Sequence, residues 1–385
     1  MSLNCPVCGS AQGVRLYPEY AGRCITSQMV FLEGLALHNR CCAACGFIFN
    51  AEGVRGRTAD VYTPENWKPK PQVLSFAGQV KGQQERALAV FEELRPLPAT
   101  GRILDFGAGR GQFLRHFAER HPHWELFALE PGGGQLEHAR AIPQATSWNK
   151  AFHEVNLPCK MDVIVVMSVL EHMERPLEAL RWIAANLADG GLLYMQHPDF
   201  ANLPGDLLCV DHLGKLTVPH TELLCAHSGL RCLARQTGGV MFSFVCEKAA
   251  PAPLSGNPQE QLRIARAAEA TARASVACVA RTIESAAQRH GKAAIFGTSP
   301  VGSMAPYMLG VPEAVAWLVD ENANTWGRRI GSATVIGPQD MARRGITDVA
   351  LAISPRYWET VAQKLANYAV HVHVPELQIS HDCNY

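Results

Sequence analysis

The run from Ile103 to Phe117 constrains the fold of this chain more than any other stretch. An apolar strand pattern ends at Asp105, and the chain then turns through Gly107, Gly109 and Gly111 into a helix pattern. Glycine has no Cβ, so such a turn can press its backbone against a ligand. The N-terminus of the helix can receive negative groups. The pattern therefore predicts a ligand-binding turn at the edge of a parallel sheet.

Two details separate this turn from a dinucleotide-binding one. Asp105 stands two positions before the first glycine, where an acid suits an ammonium group better than a pyrophosphate. A further strand pattern, Met161 to Met167, runs into a loop that contains Glu171-His172. Together these features resemble the class I methyltransferases that use S-adenosylmethionine (SAM), over roughly residues 83–248. A Rossmann domain for a nicotinamide dinucleotide is the alternative.

The resemblance implies cofactor-binding residues that follow the first, second and fourth strands. They are Asp105, Gly107, Gly109, Gly111, Glu130, Pro131, Ser168 and Val169. Asp105 and the glycine turn are expected to hold the methionine part of SAM, and Glu130 its ribose. Pro131 is expected beside the adenine. Ser168 and Val169 are expected beneath the sulfonium.

The N-terminal segment carries two matching cysteine knuckles, Cys5-Pro-Val-Cys8-Gly and Cys42-Ala-Ala-Cys45-Gly. Each pair can turn two thiolates toward one ion, and four thiolates form the closed tetrahedral site of structural zinc. We predict a zinc ion bound by these four cysteines. A redox pair or unligated thiols are the alternative. A closed site leaves no open position for catalysis by the metal, which argues against a zinc-dependent hydrolase.

Three segments follow from the pattern: a zinc-binding module at 1–60, a SAM domain at 61–250 and a C-terminal α/β domain at 255–385. A connector containing Tyr62, Trp67, Pro64, Pro69 and Pro71 is expected to run extended before a helix near Gly82. Alternating strand and helix patterns favour a Rossmann-like α/β fold in both larger domains. The predicted strands are 102–106, 125–130, 161–167, 191–196, 239–247, 293–296, 315–319, 348–353 and 370–374. The predicted helices are 112–120, 176–187, 259–290, 303–309 and 358–366.

The order of the three segments resembles the sugar C-methyltransferases that act on nucleotide-linked keto-deoxysugars. The C-terminal run Ile295-Phe-Gly-Thr-Ser-Pro-Val-Gly302, followed by Asp320, looks like that family's C-terminal domain. A strand, a glycine turn and a helix N-terminus can receive a diphosphate there. The implied substrate-binding residues are Gly297, Ser299, Gly302 and Asp320. A dimerising α/β domain is the alternative reading of this segment.

Methylation of a carbon beside a ketone requires a general base, and histidine suits that role near neutral pH. The candidates are His172, in the loop after the fourth strand, and His212 in Val210-Asp-His-Leu-Gly-Lys-Leu-Thr217. Tyr194 is a further candidate in the cleft. The family commonly has His-Glu-His-Leu-Ser-Tyr-Phe-Ser at the second place, and only its acid–His–Leu core is present here. An O- or N-methyltransferase on another small acceptor therefore stays open, as does a SAM-binding protein without activity.

The amino-acid composition indicates which kinds of partner the protein can bind. The chain has 35 Lys+Arg and 35 Asp+Glu, so a basic surface for nucleic acid is not expected. No run of 18 or more apolar residues predicts a membrane span, and no signal peptide pattern opens the chain. Its 13 cysteines are mostly scattered, as in a reducing compartment. We expect a cytoplasmic enzyme with a small-molecule acceptor; the sequence does not indicate its oligomeric state.

Overall fold

The computed structural model describes residues 4–61, 63, 73–76, 79–132, 142 and 145–377. The connector residues Tyr62, Pro64, Trp67, Pro69 and Pro71 lie outside them. The strands of the described part are, in chain order, β1 Gly13–Ile25, β2 Phe31–Cys42, β3 Ile48–Asn50, β4 Val73–Phe76, β5 Gln79–Gly82, β6 Gly101–Phe106, β7 Trp124–Leu129, β8 Ala145–Trp148, β9 Met161–Met167, β10 Leu187–Pro198, β11 Gly214–Lys215, β12 Leu230–Gln236, β13 Met241–Lys248, β14 Lys292–Phe296, β15 Val315–Val319, β16 Arg329–Ile330, β17 Ala333–Ile336, β18 Ile346–Leu351 and β19 His371–His373. The α-helices there are α1 Thr58–Val61, α2 Gln83–Leu94, α3 Gln112–Arg120, α4 Pro176–Asn186, α5 Val218–His227, α6 Pro258–Gln288, α7 Pro300–Met308, α8 Met341–Arg344 and α9 Trp358–Leu365.

The central sheet has seven strands in the order β12-β13-β10-β9-β6-β7-β8. Strands β8, β7, β6, β9 and β10 are parallel, and β13 runs antiparallel to β10. Residues Val163 to Val166 of β9 are at most 1% exposed. A parallel strand covered by helices on both faces needs this continuous apolar run, because neither face meets water. The five strands predicted for this domain are confirmed to within a few residues.

Two strands of the central sheet, β8 and β12, were not predicted from the sequence. β8 has four residues, all of them at least partly exposed. β12, Leu-Arg-Cys-Leu-Ala-Arg-Gln at the edge of the sheet, has one buried residue, and its other positions are half-buried or exposed. Edge strands bury little surface, so their apolar signal is weak.

The N-terminal segment forms a four-stranded sheet in the order β1-β2-β3-β11. Strands β1 and β2 make a long antiparallel hairpin with register shifts between Arg15 and Glu19 and between Gly22 and Cys24. Such irregularities interrupt the two-residue alternation by which a strand is recognised in a sequence, and we predicted no strands here. β11 comes from residues 214–215, within the predicted SAM domain, and it pairs with β3. The two segments therefore share a sheet.

The C-terminal sheet has the order β16-β17-β15-β14-β18-β19 and is parallel except for the β16–β17 pair. Its predicted strands are confirmed, and β16 and β17 are additional. Helix α7 begins at Pro300, three residues before the predicted start. The Ser299 hydroxyl caps it by accepting from the Gly302 amide at 3.1 Å. A serine cap followed by proline at the first position is a strong start signal for a helix.

Helix α6 connects the N-terminal hairpin with the C-terminal sheet. It spans 31 residues and begins at an Asn257 cap, whose Oδ1 accepts from the Glu260 amide at 3.1 Å. Its buried side includes Ala265, Ala268 and Ala272, which pack in one core with residues of both sheets. Small side chains allow this close approach. Among the helices of the described ranges, none combines the length and apolarity that crossing a bilayer would need.

Candidate active site

A cavity of about 900 Å³ connects all three segments. One end is lined by the glycine turn of the central sheet. Its middle is lined by Glu171, His172 and His212, and its far end by residues after β14 and β15 of the C-terminal sheet. The turn between β1 and β2 and one side of α6 complete the wall. A molecule in this space can contact the SAM-type turn and the C-terminal domain at once.

The glycine turn has the backbone that the sequence predicts. Gly107, Gly109 and Gly111 have φ values of +82°, +50° and +67°. A Cβ on Gly107 would lie 2.5 Å from a methyl carbon of Val169, so only glycine fits there. Ser168 itself has φ of +53°. Strand ends β6 and β9 thus bring Gly107 and Val169 into contact, and Gly107, Gly109 and Ser168 line the cavity.

The two acids of the predicted cofactor site lie on neighbouring strands. Asp105 is 3% exposed and lines the cavity; burial, and then the charge of Glu130, raises its pKa to about 7. Both carboxylate oxygens of Glu130 accept backbone hydrogen bonds, from the Gly109 amide at 2.9 Å and the Gly132 amide at 2.8 Å. Burial raises the pKa of Glu130 as well. Pro131 follows it and is exposed.

His172 is held by the backbone of the segment that carries the other candidate base. Its Nδ1 lies 2.9 Å from the carbonyl oxygen of Asp211 and 3.6 Å from the Oδ2 of the same residue. Burial, and then the neighbouring His212, lowers the pKa of His172. The Asp211 side chain is fully buried, and His172, His212 and Ser27 hold its pKa at about 2 against the effect of burial.

His212 has a carboxylate partner of its own. Its Nδ1 lies 2.5 Å from the Oδ1 of Asp206, which belongs to the short helix Pro204–Leu208. Burial alone would lower the pKa of His212, but the charge of Asp206 outweighs it and the pKa is raised well above the usual value. The ammonium of buried Lys215 lies 3.8 Å from the other oxygen of Asp206 and donates to the Asp206 carbonyl.

The two candidate bases, His172 and His212, are neighbours, and their pKa values are shifted in opposite directions. Their rings are 4.7 Å apart and nearly perpendicular, at 78°. Behind them Glu171 forms a fully buried pair with His197, with Nδ1 at 2.9 Å from Oε2. The other oxygen of Glu171 has no partner among the described residues. The cavity therefore contains one histidine disposed to be neutral and one disposed to be charged, beside a buried carboxylate.

Tyr194 lies elsewhere. Its side chain is completely buried in the core, stacks on Phe91 at 4.6 Å, and places its hydroxyl 3.3 Å from that of Ser243. Burial raises its pKa, and it is not part of the cavity lining. This placement favours packing over proton transfer, in contrast to the role expected from the sequence.

At the C-terminal end, Ser299 lines the cavity, whereas Gly297, Gly302 and Asp320 shape the turn behind it. A Cβ on Gly297 would meet Ile353 at 2.5 Å, and one on Gly302 would meet Ala352 at 2.9 Å. The Asp320 carboxylate accepts from the Thr298 hydroxyl at 2.6 Å and from the Asn322 amide at 2.8 Å. Asp320 thus ties the two loops together rather than facing the cavity.

The loop after β15 was missed as part of the site. Trp326 and Arg328 line the cavity there, and the Trp326 indole donates to the Asp320 carbonyl at 2.7 Å. The sequence analysis also missed Asp206, Asp211 as the partner of His172, and the turn at Ser27. Asp211 stands beside His212 in the sequence, which is a usable signal. Ser27 and Asp206 reach the site only through tertiary packing.

The four knuckle cysteines come together outside the cavity lining. The sulfurs of Cys5 and Cys45 are 3.6 Å apart, those of Cys8 and Cys42 are 3.5 Å apart, and all four lie within 4.8 Å of one another. Zinc–sulfur bonds of about 2.3 Å in a tetrahedron place the sulfurs about 3.8 Å apart, so the cluster fits the ion. The second knuckle packs on α6, because a Cβ on Gly46 would lie 2.9 Å from the Cγ of Gln261.

Comparison with known proteins agrees with this geometry. Residues 79–223 match the family model described as a methyltransferase domain. Trans-aconitate 2-methyltransferase of Methylobacterium nodulans is 28% identical over 29% of this chain and 44% of that protein. The enzyme of the same name from Rhodopseudomonas palustris is 26% identical over 34% of this chain and 52% of its own. The match thus spans about half the length of these curated relatives.

Among solved structures, human N-acetylserotonin methyltransferase in complex with SAM has a TM-score of 0.38 and 16% identity, over 44% of this chain and 52% of that one. CalO1, a methyltransferase of calicheamicin biosynthesis with SAH bound, has a TM-score of 0.36 and 19% identity, over 43% of this chain and 54% of its own. The prediction of a methyltransferase domain, and with it of an enzyme, is confirmed by the family match.

Proposed function

We propose that this chain, whose central segment is a class I SAM-dependent methyltransferase domain, transfers a methyl group from SAM to a carbon of a nucleotide-linked keto-deoxysugar. One observation carries the proposal. The cavity joins the SAM-type turn, a pair of histidines with opposite tendencies, and the loops of a second nucleotide-binding-like sheet. Each of these elements has a role in such a reaction.

The glycine turn and the two acids would hold the cofactor. Asp105 faces the cavity, where its carboxylate can receive the ammonium group of the methionine part. Glu130 fixes the amides of Gly109 and Gly132, and its oxygens can also accept from ribose hydroxyls. Pro131, Gly111 and Val169 support this surface. SAM supplies a methyl group on a sulfonium, which an aligned nucleophile can take without further help.

His172 is the proposed base. Its Nδ1 is engaged by the Asp211 carbonyl, a neutral acceptor, which favours the tautomer with the proton on Nδ1 and basic character on Nε2. Burial lowers its pKa, so the ring is neutral near pH 7 and can take the proton from the acceptor carbon. The electron pair of that C–H bond would pass through the enolate into the new bond to the methyl carbon, while the methyl–sulfur bond breaks and its electrons leave with neutral S-adenosylhomocysteine.

His212 is proposed to assist as a cation. Asp206 favours its protonated form, and an imidazolium can donate a hydrogen bond to the acceptor oxygen on which negative charge develops. Environments that push two titratable groups apart in pKa often separate acid and base roles. The His172–His212 arrangement supports such a division.

The C-terminal loops would receive the nucleotide part. Ser299 lies at the N-terminus of α7, and Trp326 with Arg328 presents a ring and a cation to the same end of the cavity. A helix N-terminus and a guanidinium both suit a diphosphate, and an exposed indole suits a base. Gly297, Gly302 and Asp320 would keep these loops in place.

Zinc is proposed as a structural ion at Cys5, Cys8, Cys42 and Cys45. The sulfur distances fit a closed tetrahedral site, and the cluster is separate from the cavity residues. The ion would fix the second knuckle against α6.

An O- or N-methyltransferase acting on another small acceptor is the second candidate. The names of the two curated relatives and the altered run after His212 favour it. A carboxylate acceptor, however, is ionised near pH 7, so its methylation needs no general base and gives the neutral His172 no catalytic role.

The test is methyl transfer from SAM labelled with ¹³C in the methyl group. The probes are a thymidine diphosphate-linked keto-deoxysugar and, separately, trans-aconitate. We expect a labelled product from the sugar nucleotide, with the ¹³C methyl signal coupled to a ring carbon. A methyl ester formed from trans-aconitate, with no product from the sugar nucleotide, would replace the proposal by the second candidate.

A further inference from the structure

The turn between β1 and β2 brings the N-terminal module into the cavity. Ser27, Gln28 and Met29 line it, more than 100 residues before most of the other lining residues. The turn is closed by hydrogen bonds from the Thr26 amide to the Val30 carbonyl and from the Met29 amide to the Thr26 carbonyl, both 2.9 Å. Met29 has φ of +60°, a conformation that a side-chain-bearing residue adopts at a cost and only when its surroundings hold it.

Ser27 binds both carboxylate oxygens of Asp211. Its amide donates to Oδ1 and its hydroxyl donates to Oδ2, each at 2.7 Å. The two residues are 184 positions apart in the sequence. The Val210 amide also donates to the Ile25 carbonyl at 3.0 Å, so the hairpin and this segment are joined at two consecutive places.

The orientation of the Asp211 side chain determines whether His172 Nδ1 contacts the carbonyl oxygen or the carboxylate of Asp211. With its carboxylate turned to Ser27, Asp211 offers its carbonyl oxygen to His172 Nδ1 at 2.9 Å, while Oδ2 stays at 3.6 Å. A direct bond to the carboxylate would favour the charged imidazolium more strongly than the bond to the neutral carbonyl does, so burial and His212 still keep the pKa of His172 low. We propose that Ser27 is a positioning residue, which keeps His172 a neutral base by holding the Asp211 carboxylate on the hairpin turn. This inference rests on the role of His172 in the proposed function.

The other charged and titratable groups around His172 do not replace this control. In the described part of the chain they include Glu171 on its own turn, His212 and Asp206 from the adjoining loops, Lys215 on β11, His197 behind Glu171, and Cys209, whose thiol donates to Oδ1 of Asp211 at 3.2 Å. Glu171 is paired with His197, and Asp206 with His212 and Lys215, so the charges of these acids are partly compensated by partners other than His172. The charge of His212 disfavours protonation of His172 and so lowers its pKa. The hairpin turn itself contributes Ser27, Gln28 and Met29, none of them titratable.

The hairpin turn is also held from the opposite side. The Arg328 guanidinium donates to the Gln28 carbonyl, and the rings of Phe31 and Tyr307 are 4.4 Å apart. Two domains therefore fix the position from which Ser27 reaches Asp211. The hydroxyl of Ser27 is thus placed by the fold, independently of any ligand.

The first experiment is histidine-selective ¹⁵N NMR of the full-length protein, with the His172 signal identified by its loss in His172→Asn. We expect the wild type to hold a neutral Nδ1–H ring near pH 7. Ser27→Ala removes the hydroxyl that donates to Oδ2 of Asp211, lets this oxygen approach His172, and raises the pKa of His172 by about one unit, a tenfold rise in the ratio of the protonated to the neutral ring. Ser27→Thr, which keeps the hydroxyl, restores the wild-type behaviour.

The control is Ser332→Ala. It removes a comparable half-buried hydroxyl, which donates to the Pro312 carbonyl at 2.7 Å outside the cavity lining. It leaves the titration of His172 unchanged, and both alanine variants keep the wild-type melting temperature within a few degrees. An unchanged His172 titration in Ser27→Ala, or a wild-type ring that is already charged at pH 7, overturns the proposal.

The second arm measures methyl transfer to the thymidine diphosphate-linked keto-deoxysugar. Ser27→Ala should lower kcat about two- to threefold at pH 7 and more strongly at pH 6, leave the KM for SAM unchanged, and recover as the pH rises, because His172 is then neutral again. A loss of kcat that is equal at all pH values would contradict the positioning role. Failure of the wild type to methylate this probe would reject the proposed acceptor, and the NMR result would still decide the role of Ser27.

Discussion

His212 Nδ1 and Asp206 Oδ1 lie 2.5 Å apart in the cavity, six positions apart in the chain. The pair is buried, and the ammonium of Lys215 lies 3.8 Å from the second oxygen of Asp206. A carboxylate held in this way by two cations stays ionised, and it favours the imidazolium form of its histidine. His212 is thereby prepared to donate rather than to accept a proton.

Asp206→Asn is expected to return the pKa of His212 toward the usual histidine value of about 6.5 or below it, because the change removes the charge that most strongly opposes the effect of burial. Turnover at pH 7 should fall about 10²-fold, since the ring loses its charge. The titration of His212 can be followed by NMR beside the kinetics. Asp340→Asn, which changes an acid of the C-terminal domain outside the cavity lining, is the control. A protonated His212 at neutral pH in Asp206→Asn would show that Asp206 is not the cause.

The affinity for S-adenosylhomocysteine should depend on the ionisation of Asp105. Burial and Glu130 raise its pKa to about 7, so the carboxylate is protonated below that pH and cannot pair with the cofactor ammonium. Affinity is therefore expected to fall about fivefold between pH 7 and pH 6 and only about twofold between pH 8 and pH 7. Calorimetric titration measures it. Asp105→Asn should bind weakly and lose the pH dependence, whereas exposed Asp189→Asn should behave as the wild type. Equal affinity at pH 6 and pH 8 in the wild type would contradict the role of Asp105.

Tyr194→Phe separates packing from catalysis at the residue that the sequence suggested as a third catalytic group. The ring contacts with Phe91 and Phe113 remain, and only the hydroxyl near Ser243 is lost. We expect the free energy of unfolding to fall by about 1 kcal/mol and turnover to stay within about twofold of the wild type. Urea unfolding and steady-state kinetics measure the two effects. A loss of turnover with unchanged stability would return Tyr194 to the catalytic machinery.

The strand–turn–helix at Ile103 to Phe117 and the β9 strand could be predicted because local sequence determines them. Glycines with positive φ, an apolar run and an amphipathic helix pattern lie within a few residues of one another. The same holds for the knuckles, whose cysteines are recognisable by spacing alone. The cap at Ser299 and the start of α7 could also have been assigned from Ser-Pro, although we placed the start too late.

The parts that could not be predicted depend on contacts between distant segments. Ser27 donates to Asp211, which is 184 positions away in the chain, and the residues that flank Ser27 in the sequence do not predict this contact. Asp206 contacts His212 from the short helix Pro204–Leu208, and this contact is formed only in the folded chain. Tyr194 looked like a cleft residue because β10 ends at the site, but alternation along the strand turns its side chain into the core. The two histidines could thus be predicted from the sequence, whereas their hydrogen-bond partners could be identified only from the structure.

Loss of the metal should loosen the N-terminal module. The purified protein is expected to contain about one zinc ion per chain, because the four sulfurs form one closed site. Cys42→Ser should lower both the zinc content and the melting temperature, whereas Cys159→Ser, a half-buried thiol outside the cluster, should change neither. Metal analysis and thermal unfolding give the two readouts. A full zinc content in Cys42→Ser would contradict the assigned ligands.

The most direct test of the central claim is hydrogen exchange at the acceptor carbon. The protein, S-adenosylhomocysteine and a thymidine diphosphate-linked keto-deoxysugar are incubated in D₂O, and deuterium at the carbon beside the carbonyl is followed by NMR. We predict exchange with the wild type and with exposed His123→Asn, and a loss of about 10²-fold or more with His172→Asn, because the base is removed. Equal exchange with His172→Asn, or none with the wild type while the sugar nucleotide is bound, would contradict the account.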